Sequence, residues 1–119
     1  MFSPTKAESF AQEWIAAWNS HQIDAILAHY APDVVFTSPF AIRLLNDPSG
    51  TIHGLANLKT YFLKGLEAFP DLHFELIEVL GGVNSVTLYY YSVKNLKSAE
   101  VMIFNEKGKV SQVLAHYNN

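Results

Sequence analysis

The chain predicts a single α+β domain. Before about residue 70 its apolar residues recur at three- and four-residue intervals, and beyond it they fall into strand-like runs rich in β-branched and aromatic side chains. The connections between those runs are too short for crossovers and require antiparallel hairpins. No linker, repeat or low-complexity tract divides residues 1–119, so the helices have to cover one face of a sheet made by the same chain.

The T-x-x-E spacing of Thr5 and Glu8 has the form of a capping box and predicts the start of the first helix. Phe10, Trp14, Ala17 and Trp18 then form one apolar stripe, and Asn19-Ser20 ends it. Ile23, Ile26, Leu27 and Tyr30 predict a second, shorter helix that stops before Pro32. A short strand is expected over 34–38, between Pro32 and Pro39, followed by a loop containing Asn46, Asp47, Pro48 and Gly50. From Gly54, the residues Leu55, Leu58, Phe62, Leu66 and Phe69 mark a third helix, ended by Pro70. Strands follow at about 72–80, 85–94, 99–105 and 109–117, separated by Gly81-Gly82, by residues 95–98 and by Glu106-Lys107-Gly108. Val86 to Tyr91 carries large apolar bodies on both parities. Both faces of the sheet are therefore expected to be covered, one by the helices and one by a second copy of the chain.

With 119 residues the chain can bury roughly two-thirds of its unfolded surface, enough for one sizeable core. It is 50% hydrophobic and 16% charged, with a net charge of -3 and eight scattered Lys and Arg residues, a balance that argues against nucleic-acid binding. It has no cysteine, hence no disulfide or thiolate metal site. Neither a leader-like N-terminus nor an apolar run of about 18 residues is present, so a cytoplasmic protein without membrane association is the expectation. Five histidines, at 21, 29, 53, 73 and 116, lack close metal-ligand spacing, and no metal or cofactor is expected.

The stretches AAWNSHQIDAILAHYAPDVVFTSP, GLANLKTYFLKGL and FNEKGKVSQVLAHY, with the order helix, helix, strand, helix and four strands, resemble SnoaL-like members of the nuclear transport factor 2-like superfamily. This group includes polyketide cyclases and ketosteroid isomerases. The resemblance implies a cone-shaped, cystatin-like roll, with three helices from the N-terminal half packed on a curved, mixed and mainly antiparallel sheet. It also implies an apolar pocket for a small organic molecule, neutral or weakly acidic, and a homodimer formed through the sheet. The isomerases' tyrosine, aspartate base and protonated acid correspond to Trp14, Ser38 and Glu100. Two of the three differ in chemistry, because an indole is a poor substitute for a proton-sharing phenol and serine is no general base near neutrality.

Glu100 interrupts an otherwise apolar strand, where alternation sets it with Met102 and Phe104. It reads either as a pocket acid whose pKa is raised by burial or as a strand-end carboxylate bonded to a neighbour. The first reading makes it the catalytic candidate for isomerase, cyclase or related lyase chemistry. The second goes with a ligand-binding or dimerisation module that performs no reaction. The resemblance implies that Trp14, Tyr61, Phe62 and Tyr117 line the pocket, and Phe36, Ser38, Phe40, His53 and Met102 complete the expected set. Trp18 reads as core, Ser38 as a residue that can instead bond a turn amide, and His116 as facing the outer side of the sheet.

Overall fold

The computed structural model describes residues 2–118. Helix α1 (Pro4–Ser20) begins one residue before the Thr5 start, because Ser3 is the true cap: its side chain accepts from the Lys6 amide at 3.2 Å. Pro4 occupies the first helical position, where its missing N–H costs nothing. His21 ends the helix in a left-handed conformation, its N–H returned to the Trp18 carbonyl.

Helix α2 is only Ile23–Leu27, and Tyr30 does not continue it but starts strand β1 (Tyr30–Thr37). Pro32 thus lies inside a strand rather than ahead of one. It falls where the β1–β6 ladder breaks, between Tyr30 and Val35, so no ladder amide is missing there. Residues 39–45, expected as loop, form α3 (Pro39–Leu45), in which Ser38 accepts from the Phe40 amide at 3.2 Å. The same Ser-Pro dipeptide starts α1 and α3. Gly50 then turns the chain at φ +61°, where a Cβ would lie 3.0 Å from the Ser38 carbonyl oxygen, so only glycine fits. A short strand β2 (Thr51–His53), also unanticipated, pairs antiparallel with β1. Helix α4 (Leu55–Ala68) buries Leu58, Tyr61 and Phe62.

The remaining strands are β3 (Glu75–Gly81), β4 (Ser85–Tyr91), β5 (Lys97–Phe104) and β6 (Val110–Tyr117). The sheet order is β2-β1-β6-β5-β4-β3, with β1 and β6 parallel and every other pair antiparallel. Helices α1 and α4 pack on one face, and the fold is the mixed, mainly antiparallel α+β arrangement anticipated. The inward parity holds Val86, Leu88 and Tyr90 on β4, Ser98, Glu100, Met102 and Phe104 on β5, and Val113 and Ala115 on β6. No helix among the described residues is long and apolar enough to cross a membrane.

Candidate functional site

Strand register puts Glu100 between Leu88 of β4 and Ala115 of β6, with Ser98, the next inward residue of β5, between Tyr90 and Tyr117. Ala115 and Ser98 are small, so space opens beside the carboxyl where neighbouring inward positions would otherwise fill it. Tyr90 is diagonal to Glu100 across the strand pair, a separation that a long side chain spans. Its hydroxyl donates to Glu100 Oε1 at 2.5 Å. Among the described residues Glu100 Oε2 is buried with no hydrogen-bond partner.

Glu100 is only 4% exposed, and burial raises its pKa from 4.5 to about 7, against the lowering effect of the Tyr90 hydrogen bond. Burial wins because desolvation penalises the whole anion, whereas one donor supports only one of its oxygens. The same burial, reinforced by the Glu100 charge, pushes the hydroxyls of Tyr30, Tyr90 and Tyr117 well above their usual range. Tyr61 rises to about 12 from burial, a neighbouring Ser38 hydroxyl opposing. These phenols are therefore neutral donors at any ordinary pH, and Glu100 is the group in the cluster that titrates near neutrality.

The cavity beside Glu100 has a volume of about 60 Å³. That is space for about four water-sized spheres, or for a small organic fragment. Its walls are mainly aromatic. Trp14 stacks on Phe74 at 5.7 Å and meets Tyr90 edge-on at 5.2 Å, and Phe36 lies against Tyr61 and Phe62. At the half-buried end Phe40 packs edge-on against Tyr117 at 4.6 Å and against Phe69 at 6.2 Å. Arg43 lies over the Phe40 ring and Lys94 over the Phe69 ring, at 5.3 and 5.8 Å.

Of the residues singled out in the sequence, Glu100, Trp14, Phe36, Phe40, Tyr61, Phe62 and Tyr117 are brought together around this space. Three others are not. Ser38 is buried just outside the lining, its hydroxyl engaged in capping α3. His53 is exposed on β2, because α4 starts only after the Gly54 turn and carries the chain inward beyond it. Met102 points inward but sits one residue pair further along β5, opposite Val86 and Val113, where packing is complete.

Trp18, Tyr30 and Tyr90 line the cavity without having been anticipated there. Tyr30 was obscured by its assignment to a helix. Tyr90 shares parity with Leu88, a signal that identifies it once the β4–β5 register is known. His116 is exposed on the outer face, its Nδ1 3.1 Å from the Ala99 carbonyl oxygen. Among the described residues no group of three or more His, Asp or Glu side chains is arranged to hold a metal ion.

A SnoaL-like domain model matches residues 11–113. A SnoaL-like protein of unknown function from Burkholderia thailandensis E264 is 39% identical, with 98% of each chain covered and a TM-score of 0.94. A SnoaL-like protein from Agrobacterium tumefaciens str. C58, provisionally designated an isomerase, is 17% identical over 97% of this chain and 99% of its own, with a TM-score of 0.74. A protein of unknown function with a cystatin-like fold from Methylobium petroleophilum PM1 is 15% identical over 99% of this chain and 79% of its own, with a TM-score of 0.77. At such low identities the last two establish the shared fold alone. No curated protein matches the chain.

Proposed function

The chain belongs to the SnoaL-like domain family, and from that premise we propose that it binds a small, largely apolar organic molecule and moves a proton on it with Glu100. The observation that carries this reading is the state of the carboxyl. One oxygen is held by Tyr90, the other is buried without a partner among the described residues, and the group changes charge near neutral pH beside an aromatic cavity. Those are the requirements for a general acid/base, which is most effective when its pKa lies near the working pH.

In the proposed step a C–H bond of the ligand breaks. The proton passes to Glu100 Oε2 and the electron pair remains in the ligand's conjugated system. Return of the proton to a different carbon completes an isomerisation, and attack by the same electron pair on a carbonyl carbon, whose oxygen takes the proton back from Glu100, gives a ring closure. An elimination follows instead where the pair forms a double bond and expels a leaving group from the adjacent carbon, which departs with the proton.

The non-catalytic reading, a binding module of the same shape, draws on one observation. The residue at the isomerases' base position, Ser38, is a hydroxyl whose oxygen caps α3, so Glu100 is the one carboxyl among the three positions that correspond to the isomerases' set. Deuterium exchange separates the two readings. Incubated in D2O with cyclohex-2-enone as probe, the wild type is expected to speed deuterium incorporation at the γ carbon, and Glu100→Gln is expected not to. Equal incorporation by both, with the probe bound by both, would leave only the binding module.

A further inference from the structure

Among the described residues three buried side-chain polar atoms lack a hydrogen-bond partner: Trp18 Nε1, Ser98 Oγ and Glu100 Oε2. Two of them, Trp18 Nε1 and Glu100 Oε2, belong to residues that line the same cavity. A buried donor left unmade costs about 1–3 kcal/mol. The contrast with Trp14, one helical turn earlier with its ring centroid 6.2 Å away, is instructive: its indole N–H donates to the Tyr30 hydroxyl at 2.9 Å. An indole can only donate, and the Tyr30 oxygen on which Trp18 also acts is already taken by Trp14, so among the described residues Trp18 is left without a hydrogen bond of good geometry.

Tyr30 stands beside it. Trp18 and Tyr30 both pack edge-on against Phe62, at 4.7 and 5.6 Å, and both line the cavity. The Tyr30 oxygen already accepts from Trp14, and among the described residues its own proton has no acceptor. Burial raises the Tyr30 pKa, with the indoles of Trp14 and Trp18 opposing, so its hydroxyl stays protonated. Among the described residues, then, one indole N–H that reaches Tyr30 only weakly and one phenol O–H without an acceptor adjoin the cavity.

We propose that Trp18 is a ligand-binding residue whose indole N–H, together with the Tyr30 hydroxyl, donates to a carbonyl-type oxygen of a small molecule held in the cavity. This assignment rests on the reading of the cavity as a ligand site and sharpens it. The ligand has an acceptor oxygen at the Trp18–Tyr30 side and a second group that meets the free oxygen of Glu100. A hydrocarbon of the same shape satisfies neither. Trp18 is then a specificity-determining residue, and its presence in the apolar stripe of α1 reflects recognition as well as packing.

Nuclear magnetic resonance of the 15N-labelled, methyl-labelled protein tests this directly. Its two tryptophans give two indole N–H signals, which Trp18→Phe assigns. Addition of cyclohex-2-enone is expected to move the Trp18 indole signal downfield together with the methyl signals of Leu44 and Val93, which also line the cavity. Cyclohexene is expected to move the methyl signals and leave the indole where it was. In Trp18→Phe the ketone should bind about tenfold more weakly, the value of one hydrogen bond, with cyclohexene affinity unchanged. Methyl shifts with a stationary Trp18 indole would overturn the assignment while leaving the cavity a ligand site. No shift of either kind would overturn both.

Discussion

The two faces of strand β5 invert the usual division between inside and outside. Its inner face carries Ser98 and Glu100 ahead of Met102 and Phe104, all buried. Its outer face carries Ala99, Val101 and Ile103, half-exposed next to Leu114 and His116 of β6. Polar side chains are normally left outside because burying them without partners costs more than burial of the surrounding carbon returns. Here the acid is inside, beside a cavity, and aliphatic surface is outside. The lesson is that the inner face keeps a desolvated acid beside a cavity at some cost in stability, whereas the outer face leaves aliphatic surface open to solvent. We propose a second copy of the chain as the occupant of that outer face.

The largest effect expected from breaking this contrast is on the inner face. Glu100→Gln keeps the shape and removes the titration. Deuterium incorporation into a bound ketone should fall by about 10²–10⁴-fold, the usual contribution of a general acid/base, with probe binding retained. Mass spectrometry of the probe after incubation in D2O reads it out, and an unchanged rate would remove Glu100 from the chemistry.

Next in size is the pH dependence of stability. Below about pH 4.5 both folded and unfolded chains hold the proton, and above about pH 7 both have released it. Between these values the unfolded chain releases a proton that the folded chain retains. Glu100 therefore draws folding stability down as pH rises through that window, by on the order of 3 kcal/mol at the upper end. Urea denaturation of the wild type and Glu100→Gln from pH 4 to 8 should show the variant gaining relative stability with rising pH. A constant difference would mean that the carboxyl is not desolvated.

Two changes sharpen the comparison at a smaller scale. Tyr90→Phe removes the hydrogen bond to Glu100 Oε1, so the carboxyl should titrate above its present value of about 7, followed by its 13C shift. Folding should weaken by about 1–3 kcal/mol, because a second oxygen is left unpaired. Ser38→Ala should cost about 1 kcal/mol through loss of the α3 cap, measured by thermal unfolding, and should leave exchange chemistry intact. If exchange is lost as well, Ser38 has a part in the reaction that its capping bond does not reveal.

The smallest change in monomer stability is expected on the outer face. Leu114 is 38% exposed, and Leu114→Lys should alter folding by no more than about 0.5 kcal/mol. A stable pair needs about 1,000 Å² or more of buried surface, and a charge at its centre would dissociate it. Analytical ultracentrifugation at tens of micromolar should show a dimer for the wild type and a monomer for Leu114→Lys. A monomeric wild type would leave the outer face without this partner.

Much of the fold was legible because local rules and tertiary packing agree. The apolar stripe through Trp14 and Trp18, the α4 face through Leu58 and Phe62, and the alternating strands around Gly81-Gly82 and Gly108 each announce their elements. Misread elements had a weaker local signal. Ser38-Pro39 begins α3 as Ser3-Pro4 begins α1, but its helix is only Pro39–Leu45, too short for a clear periodicity. Tyr30 fits a helical stripe on spacing alone, yet its pairing with Val110 makes it strand.

For the site, the sequence by itself determined that one acid, Glu100, stands in an apolar strand among aromatic residues, since composition and parity are local properties. It could not determine which atoms meet. That Tyr90 reaches Glu100, that Met102 falls one pair too far, that Trp14 takes the Tyr30 oxygen and that Trp18 is left, among the described residues, without a hydrogen bond of good geometry are outcomes of strand register and helix placement. A shift of one residue in register reverses every inward and outward assignment, and register is set by the packing of the whole sheet rather than by any one strand.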